Sequence, residues 1–209
     1  QLVYPYIKNK TILEIGCGNG FFCIWAAKQG AKNVIGVDIS RETINRLNKI
    51  TKNPNNIKFL YGDAQKFKLK KKFDYIVCCE VLEHLQDPEQ AFKNMVEMCN
   101  KKMIISIPNY FTFIPYRLLT YILKEVGRLG KKQPIERTTH TLWLIKLGEK
   151  YNMYPEKIIA NYLHPIFSKY FIKEGDSFKT VLDNSIGKIF PLNYMGIHTA
   201  IMFRKNKIN

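Results

Sequence analysis

Short runs of apolar and β-branched residues alternate, along the first half of the chain, with segments whose apolar residues recur at the spacing of one helix face. The strand-like runs are TILEI (11–15), NVIGVD (33–38), IKFLYG (57–62), FDYIVCC (73–79) and MIISIP (103–108). The helix-like segments are residues 21–30, 41–52 and 88–100. This order predicts an α/β fold, in which a mostly parallel sheet carries helices on both faces and binds ligands beyond the carboxyl ends of its strands.

Local signals at the helix ends agree with this pattern. Gly30 follows the first helix-like segment, where a glycine commonly ends a helix. Ser40 is placed to cap the second helix, and Asp87 followed by Pro88 has the order of an N-cap and a first helical residue. These residues predict helix boundaries independently of the apolar periodicity.

The character of the chain changes after Pro108. Residues 110–134 combine many aromatic and aliphatic side chains with a basic end at Arg128, Lys131 and Lys132, which predicts a helical lid insertion with its own apolar surface. A helix-like segment at 141–151 and strand-like segments at 157–163 and 196–205 follow. We therefore expect one domain over residues 1–209, with the lid inserted at 110–134.

The first strand ends in a glycine-rich turn with Gly16, Gly18 and Gly20, immediately before a helix. Glycines at such a corner let a ligand approach the main chain, and the helix N-terminus offers free N–H groups. Acids recur at the successive strands: Glu14, Asp38, Asp63 and Glu80. A carboxylate at the end of the second strand is placed to accept the hydroxyls of a ribose, and a cleft lined by anionic side chains favours a cationic ligand over a diphosphate.

The ordered motifs TILEIGCGNGFF, VIGVDIS, FLYGDA, FDYIVCCEVLEHLQDP and IISIPN resemble those of the class I S-adenosylmethionine-dependent methyltransferases. The resemblance implies a Rossmann-like, doubly wound sheet of seven strands whose last strand runs antiparallel to its neighbours. It also implies S-adenosylmethionine as cofactor and S-adenosylhomocysteine as product. The cofactor-binding residues it implies are Glu14, Gly16, Cys17, Gly18, Gly20, Asp38, Ile39, Asp63, Ala64 and Glu80.

The segment CCEVLEHL places Glu80, Glu83 and His84 on one helical face if the chain turns helical there. Two families share this pattern. In the small-RNA 3′-terminal 2′-O-methyltransferases such residues, with a later histidine, bind a divalent metal, so a Mg²⁺ or Mn²⁺ site here would use Glu80, Glu83, His84 and His140. The ubiquinone-biosynthesis O-methyltransferases and their small-molecule relatives carry a similar segment, and there Glu83 and His84 would be the catalytic residues on the acceptor side.

The lid favours the small-molecule alternative. SIPN followed by an aromatic and aliphatic helix and a basic turn is similar to the lid of the quinone-pathway enzymes, which lies on a membrane surface. Its acceptor-facing residues would be Tyr110, Phe111, Phe113 and Tyr116. We therefore expect O- or N-methylation of a small or lipid-like molecule, with peripheral membrane contact through 110–134 as a further hypothesis.

The formal net charge of +16 is unusual for a chain of 209 residues, and basic residues outnumber acidic ones in both halves. Such a field attracts RNA, anionic lipids or acidic small molecules, so metal-assisted RNA 2′-O-methylation remains an alternative. A catalytically silent binding protein with the same fold is a second alternative. Five cysteines without a CxxC pair or an even framework favour a reducing compartment, and we expect a cytoplasmic protein.

Overall fold

The structure, a computed structural model, describes residues 7–51, 56–108, 139–161 and 198–205. Within these ranges the strands are β1 (Thr11–Ile15), β2 (Asn33–Asp38), β3 (Ile57–Tyr61), β4 (Phe73–Cys79), β5 (Cys99–Pro108), β6 (Met153–Asn161) and β7 (His198–Lys205). The helices are α1 (Phe21–Lys28), α2 (Arg41–Ile50), α3 (Pro88–Met98) and α4 (Thr141–Lys150). A short 3₁₀ turn, Leu82–His84, lies between β4 and α3.

The strands form a seven-stranded sheet in the order β3-β2-β1-β4-β5-β7-β6. Strands β1 to β5 pair in parallel, whereas β7 is antiparallel to both β5 and β6. The predicted seven-stranded, mostly parallel sheet with a reversed last strand is confirmed.

The sheet buries an apolar core on each face, because successive side chains of a strand point to opposite sides. On one face Leu13 belongs to a core that includes Phe92 of α3 and Leu144 of α4. On the other face Ile12 belongs to a core that includes Cys23 of α1 and Leu47 of α2. Helices therefore cover both faces, as the doubly wound prediction requires.

Two strands begin earlier than their apolar patterns indicate. Helix α3 ends at Met98 instead of residue 100, and β5 begins at Cys99 instead of residue 103. Strand β6 begins at Met153 instead of residue 157. In both cases pairing with a neighbour extends the strand into polar residues, since β4 pairs with β5 from Cys99 onward and β7 pairs with β6 from Met153 onward.

The three predicted capping residues, Ser40, Asp87 and Gly30, are confirmed. Ser40 Oγ accepts a hydrogen bond from the Thr43 N–H at 3.2 Å, and Asp87 Oδ1 accepts one from the Gln90 N–H at 2.9 Å. Gly30 has a φ of 84°, the left-handed conformation expected just after a helix.

The carboxyl ends of β1 to β5 lie at one edge of the sheet, which we call the carboxyl edge. Because β7 runs in the opposite direction, its first residue reaches the same edge, and His198 pairs with Pro108 at the end of β5. The fold thereby gathers residues from three parts of the chain at the edge where ligands bind in sheets of this kind.

Candidate active site

The glycine-rich turn after β1 leaves open space beside its main chain. Gly16, Gly18 and Gly20 have φ values of 74°, 46° and 72°. A Cβ on Gly16 would clash with the side chain of Val81, and one on Gly20 would come within 3.0 Å of Leu47. Among the described residues, a Cβ on Gly18 would meet nothing within 4 Å, so the open side of the turn is at Gly18.

Asp38 fixes the turn against the end of β2. Its Oδ2 accepts a hydrogen bond from the Gly18 N–H at 2.9 Å, and its Oδ1 accepts one from the Ser40 N–H at 2.9 Å. Val37 adds a further link, because its carbonyl accepts the N–H groups of both Gly16 and Cys17. Each oxygen of the Asp38 carboxylate can still accept a further hydrogen bond from a ligand. The side chain of the next residue, Ile39, is exposed.

The loop after β3 is anchored to helix α3. Asp63 Oδ1 accepts the Gln65 N–H at 2.9 Å and closes a tight turn around Ala64. The amide of Asn94, which is buried, donates to the carbonyls of Ala64 and Gln65 at 3.3 and 2.8 Å. This places Asp63 and Ala64 at the carboxyl edge, next to the end of β2.

Glu14 and Cys17, both expected near the cofactor, have buried side chains. Cys23 Sγ donates a hydrogen bond to Glu14 Oε2 at 2.8 Å. Burial raises the pKa of Glu14 to about 7, and the bond from Cys23 opposes this rise without cancelling it. Burial also raises the pKa of Cys17 to about 12, so this thiol stays protonated at neutral pH. All five cysteines lie in the described part of the chain and are free thiols.

Glu80 follows β4 in a left-handed conformation, with a φ of 53° that few non-glycine residues adopt. Its N–H donates to the Ser106 carbonyl at 3.1 Å, and Ser106 Oγ donates to Glu80 Oε1 at 2.7 Å. Glu80 Oε2 lies 3.1 Å from His198 Nδ1. Burial would raise the pKa of Glu80, but the bonds from His198 and Ser106 outweigh it and hold that pKa below its ordinary value.

Glu83 and His84 do not share a helical face with Glu80, so the prediction of one face is wrong. Only Leu82–His84 is helical, as a 3₁₀ turn, and the left-handed Glu80 lies outside it. The Glu83 side chain is buried, whereas that of His84 is 40% exposed. The distance from His84 Nε2 to Glu83 Oε1 is 3.8 Å, too long for a hydrogen bond.

The four residues predicted as metal ligands, Glu80, Glu83, His84 and His140, are all described, and they do not form a ligand set. His140 is the N-cap of α4, and its Nδ1 accepts the Trp143 N–H at 3.1 Å. Across residues 7–51, 56–108, 139–161 and 198–205, no group of three or more His, Cys, Asp or Glu side chains could hold a metal ion. The donor set expected for Mg²⁺ or Mn²⁺ therefore does not fit this arrangement.

The lid prediction lies outside the described residues. It concerns residues 110–134, including Tyr110, Phe111, Phe113 and Tyr116. Among the helices that the structure does describe, none has the length and apolar character needed to cross a membrane.

Two residues of the carboxyl edge, Ser106 and His198, were not predicted as site residues. Ser106 lies within an apolar strand, and His198 has no acidic neighbour in the sequence. The signal that could have found His198 is strand pairing, since a reversed last strand beside β5 must begin where β5 ends.

A family model described as "Methyltransferase domain" matches residues 7–136. The chain is similar to a ubiquinone biosynthesis O-methyltransferase of Aliivibrio fischeri, with 24% identity over 204 residues that cover 92% of this chain and 78% of that protein. A protein of the same name from Coxiella burnetii is 38% identical over 96 residues, which cover 42% of this chain and 38% of that protein.

Solved structures share the fold. An S-adenosylmethionine-dependent methyltransferase from Mesorhizobium loti matches with a TM-score of 0.68 at 16% identity, covering 96% of this chain and 93% of that chain. The magnesium protoporphyrin IX methyltransferase of Synechocystis PCC 6803, solved with bound SAH, matches with a TM-score of 0.65 at 15% identity, covering 98% of this chain and 78% of that chain.

Proposed function

Because the chain belongs to the class I, S-adenosylmethionine-dependent methyltransferase family, we propose that it methylates an oxygen or nitrogen atom of a small or lipid-like molecule. S-adenosylmethionine supplies a methyl group on a positively charged sulfur, and S-adenosylhomocysteine is the product. The protein has to bind this donor, align the acceptor and remove a proton where the acceptor requires it.

The observation that carries the proposal is the open glycine turn at the carboxyl edge. In the part of the chain that the structure describes, no atom lies within 4 Å of the position of a Cβ on Gly18, so a ligand can approach its main chain. Asp38 is held beside it by hydrogen bonds from Gly18 and Ser40 and can accept the ribose hydroxyls. Asp63 and Ala64 follow at the neighbouring strand and would contact the adenine.

The acceptor class is supported by the relatives. The match to the ubiquinone biosynthesis O-methyltransferase of Aliivibrio fischeri extends over 92% of this chain, well beyond the glycine turn. The RNA alternative has less support because it needs a metal site, and His140 serves instead as a helix cap. Membrane contact through residues 110–134 stays a prediction.

Transfer of labelled methyl from S-adenosylmethionine into a host-cell extract tests the proposal. The extract is then separated into lipid, small-molecule, RNA and protein fractions, and each reaction is run with and without a chelator. A reaction containing excess S-adenosylhomocysteine is the control, because the product competes for the donor site.

We expect label in the lipid or small-molecule fraction, and no loss of label with the chelator. Label at RNA 3′ ends that disappears with the chelator would contradict the proposal and favour the RNA alternative. Binding of S-adenosylmethionine with no transfer into any fraction would favour the silent binding protein.

A further inference from the structure

The ends of β4 and β5 and the start of β7 place three polar side chains together at the carboxyl edge. Cys79, the last residue of β4, pairs with Ser106 of β5, and Pro108, the last residue of β5, pairs with His198, the first residue of β7. Glu80, the residue after β4, contacts both Ser106 and His198 although His198 is 118 residues away in the chain. We call Glu80, Ser106 and His198 the edge triad.

The edge triad fixes which nitrogen of His198 carries a proton. An ionised carboxylate only accepts hydrogen bonds, and one oxygen of Glu80 already accepts the Ser106 hydroxyl at 2.7 Å. The other oxygen lies 3.1 Å from His198 Nδ1, which must therefore be the donor. In the neutral ring Nε2 then holds the lone pair, and it lies on the side of the imidazole away from Nδ1.

His198 is better placed than His84 to accept a proton. A carboxylate within hydrogen-bond distance orients the His198 ring, whereas the Glu83 carboxylate oxygen beside His84 is 3.8 Å from its Nε2. About a third of the His198 side chain is exposed, so its ring is accessible from solvent. The strained φ of 53° at Glu80 agrees with a functional position, since such backbone strain is concentrated at active sites.

We propose that His198 contacts the methyl acceptor through Nε2 and accepts its proton, and that Glu80 is the positioning residue that orients the imidazole. This inference rests on the proposed function and names the group that performs its proton transfer. The acceptor oxygen or nitrogen forms a bond to the methyl carbon while the carbon–sulfur bond breaks and its electron pair stays on sulfur. The proton of the acceptor passes to Nε2, and the imidazolium, paired with Glu80, later releases it to water.

The variant His198→Asn separates this role from a structural one. The asparagine amide can donate to Glu80 in place of Nδ1, but it has no atom in place of Nε2. We expect kcat to fall by about 100-fold or more, since general-base catalysis contributes about 10² to 10⁴ in rate. The dissociation constant of S-adenosylmethionine, measured by calorimetry, should change by less than about twofold, which also shows that the variant is folded. His198→Ala should regain part of the rate when imidazole is added.

The acceptor in these assays is the extract fraction that takes up label with the wild-type protein. His84→Gln is the comparison variant, and we expect its kcat to fall by less than about tenfold. An active wild type with an equally active His198→Asn would overturn the inference and leave the proposed function standing. A larger loss in His84→Gln than in His198→Asn would also overturn it. So would a wild-type rate that a chelator abolishes and Mg²⁺ restores, because a metal ion would then activate the acceptor in place of His198.

Nitrogen NMR of protein labelled with ¹⁵N-histidine tests the ring without any acceptor. The neutral form of His198 should carry its proton on Nδ1 and none on Nε2. A proton on Nε2 would overturn the inference whether or not a labelled acceptor is found.

Discussion

Replacing Gly18 by alanine should weaken binding of S-adenosylmethionine more than it weakens the fold, and Gly30→Ala provides the matched control. Both glycines have positive φ values, 46° and 84°. Neither added Cβ meets a close neighbour among residues 7–51, 56–108, 139–161 and 198–205, where Gly18 has nothing within 4 Å and Gly30 has only the Cγ of Lys8 at 3.7 Å. The two substitutions therefore share the same backbone penalty, and only one of them lies in the proposed site.

The magnitudes follow from this geometry. A left-handed conformation costs a non-glycine residue about 1 kcal/mol, so each variant should lower Tm by about 2 to 4 °C. Alanine at position 18 also places a methyl group in the space that the ligand would occupy. We expect at least about a tenfold loss of affinity for Gly18→Ala, or about 1.4 kcal/mol, and less than about twofold for Gly30→Ala.

Thermal unfolding and calorimetric titration with S-adenosylhomocysteine measure the two effects separately. Equal affinity in Gly18→Ala and the wild type would refute the reasoning, because the ligand would not approach this part of the main chain. An equal loss of affinity in Gly18→Ala and Gly30→Ala would also refute it, since the weaker binding would then come from destabilisation of the fold. Gly16 offers no such test, because its Cβ would clash with Val81 and change the fold itself.

Three further predictions concern stability. Burial raises the pKa of Glu14 to about 7 in the folded protein, so this carboxyl loses its proton at a lower pH in the unfolded chain than in the folded one. The free energy of unfolding should therefore fall as pH rises from about 4.5 to 7. Glu14→Gln should flatten this slope in urea titrations across that range. Burial would raise the pKa of Asp74, but bonds from Lys101 and Thr11 hold that pKa below its ordinary value. Asp74→Asn should therefore unfold at a lower urea concentration than the wild type at pH 7. The difference between the two proteins should shrink as pH falls below about 4. His140→Ala should lower the free energy of unfolding by about 1 kcal/mol, because α4 loses its N-cap. His140→Asn should keep most of that free energy, because asparagine is a good N-cap. Equal stability of the two variants in thermal melts would contradict the capping role of His140.

The parts of the fold that the sequence predicts well are those set by local chemistry. The N-caps Ser40 and Asp87 and the glycine at position 30 act within one helix turn, and each lies where the pattern indicates. The starts of β5 and β6 depend on pairing with distant strands. Polar residues such as Lys101 and Lys102 join β5 because β4 lies beside them, which no local pattern reveals.

The candidate site divides in the same way. Gly18 and Asp38 can be recognised in the sequence because their roles follow from residue type and from position at the end of a strand. The contact between Glu80 and His198 depends on the reversed strand β7, and the left-handed Glu80 is bonded to Ser106 of the neighbouring strand β5. Helical spacing therefore suggested Glu83 and His84 as partners of Glu80, whereas the sheet supplies His198.

A crystal structure with bound S-adenosylhomocysteine would test the central claim most directly. The account predicts the ligand at the carboxyl edge, against the main chain of Gly18, with its ribose hydroxyls on Asp38 and its sulfur on the side of Glu80 and His198. A ligand bound elsewhere, or an Asp38 carboxylate that makes no contact with the ribose, would contradict it.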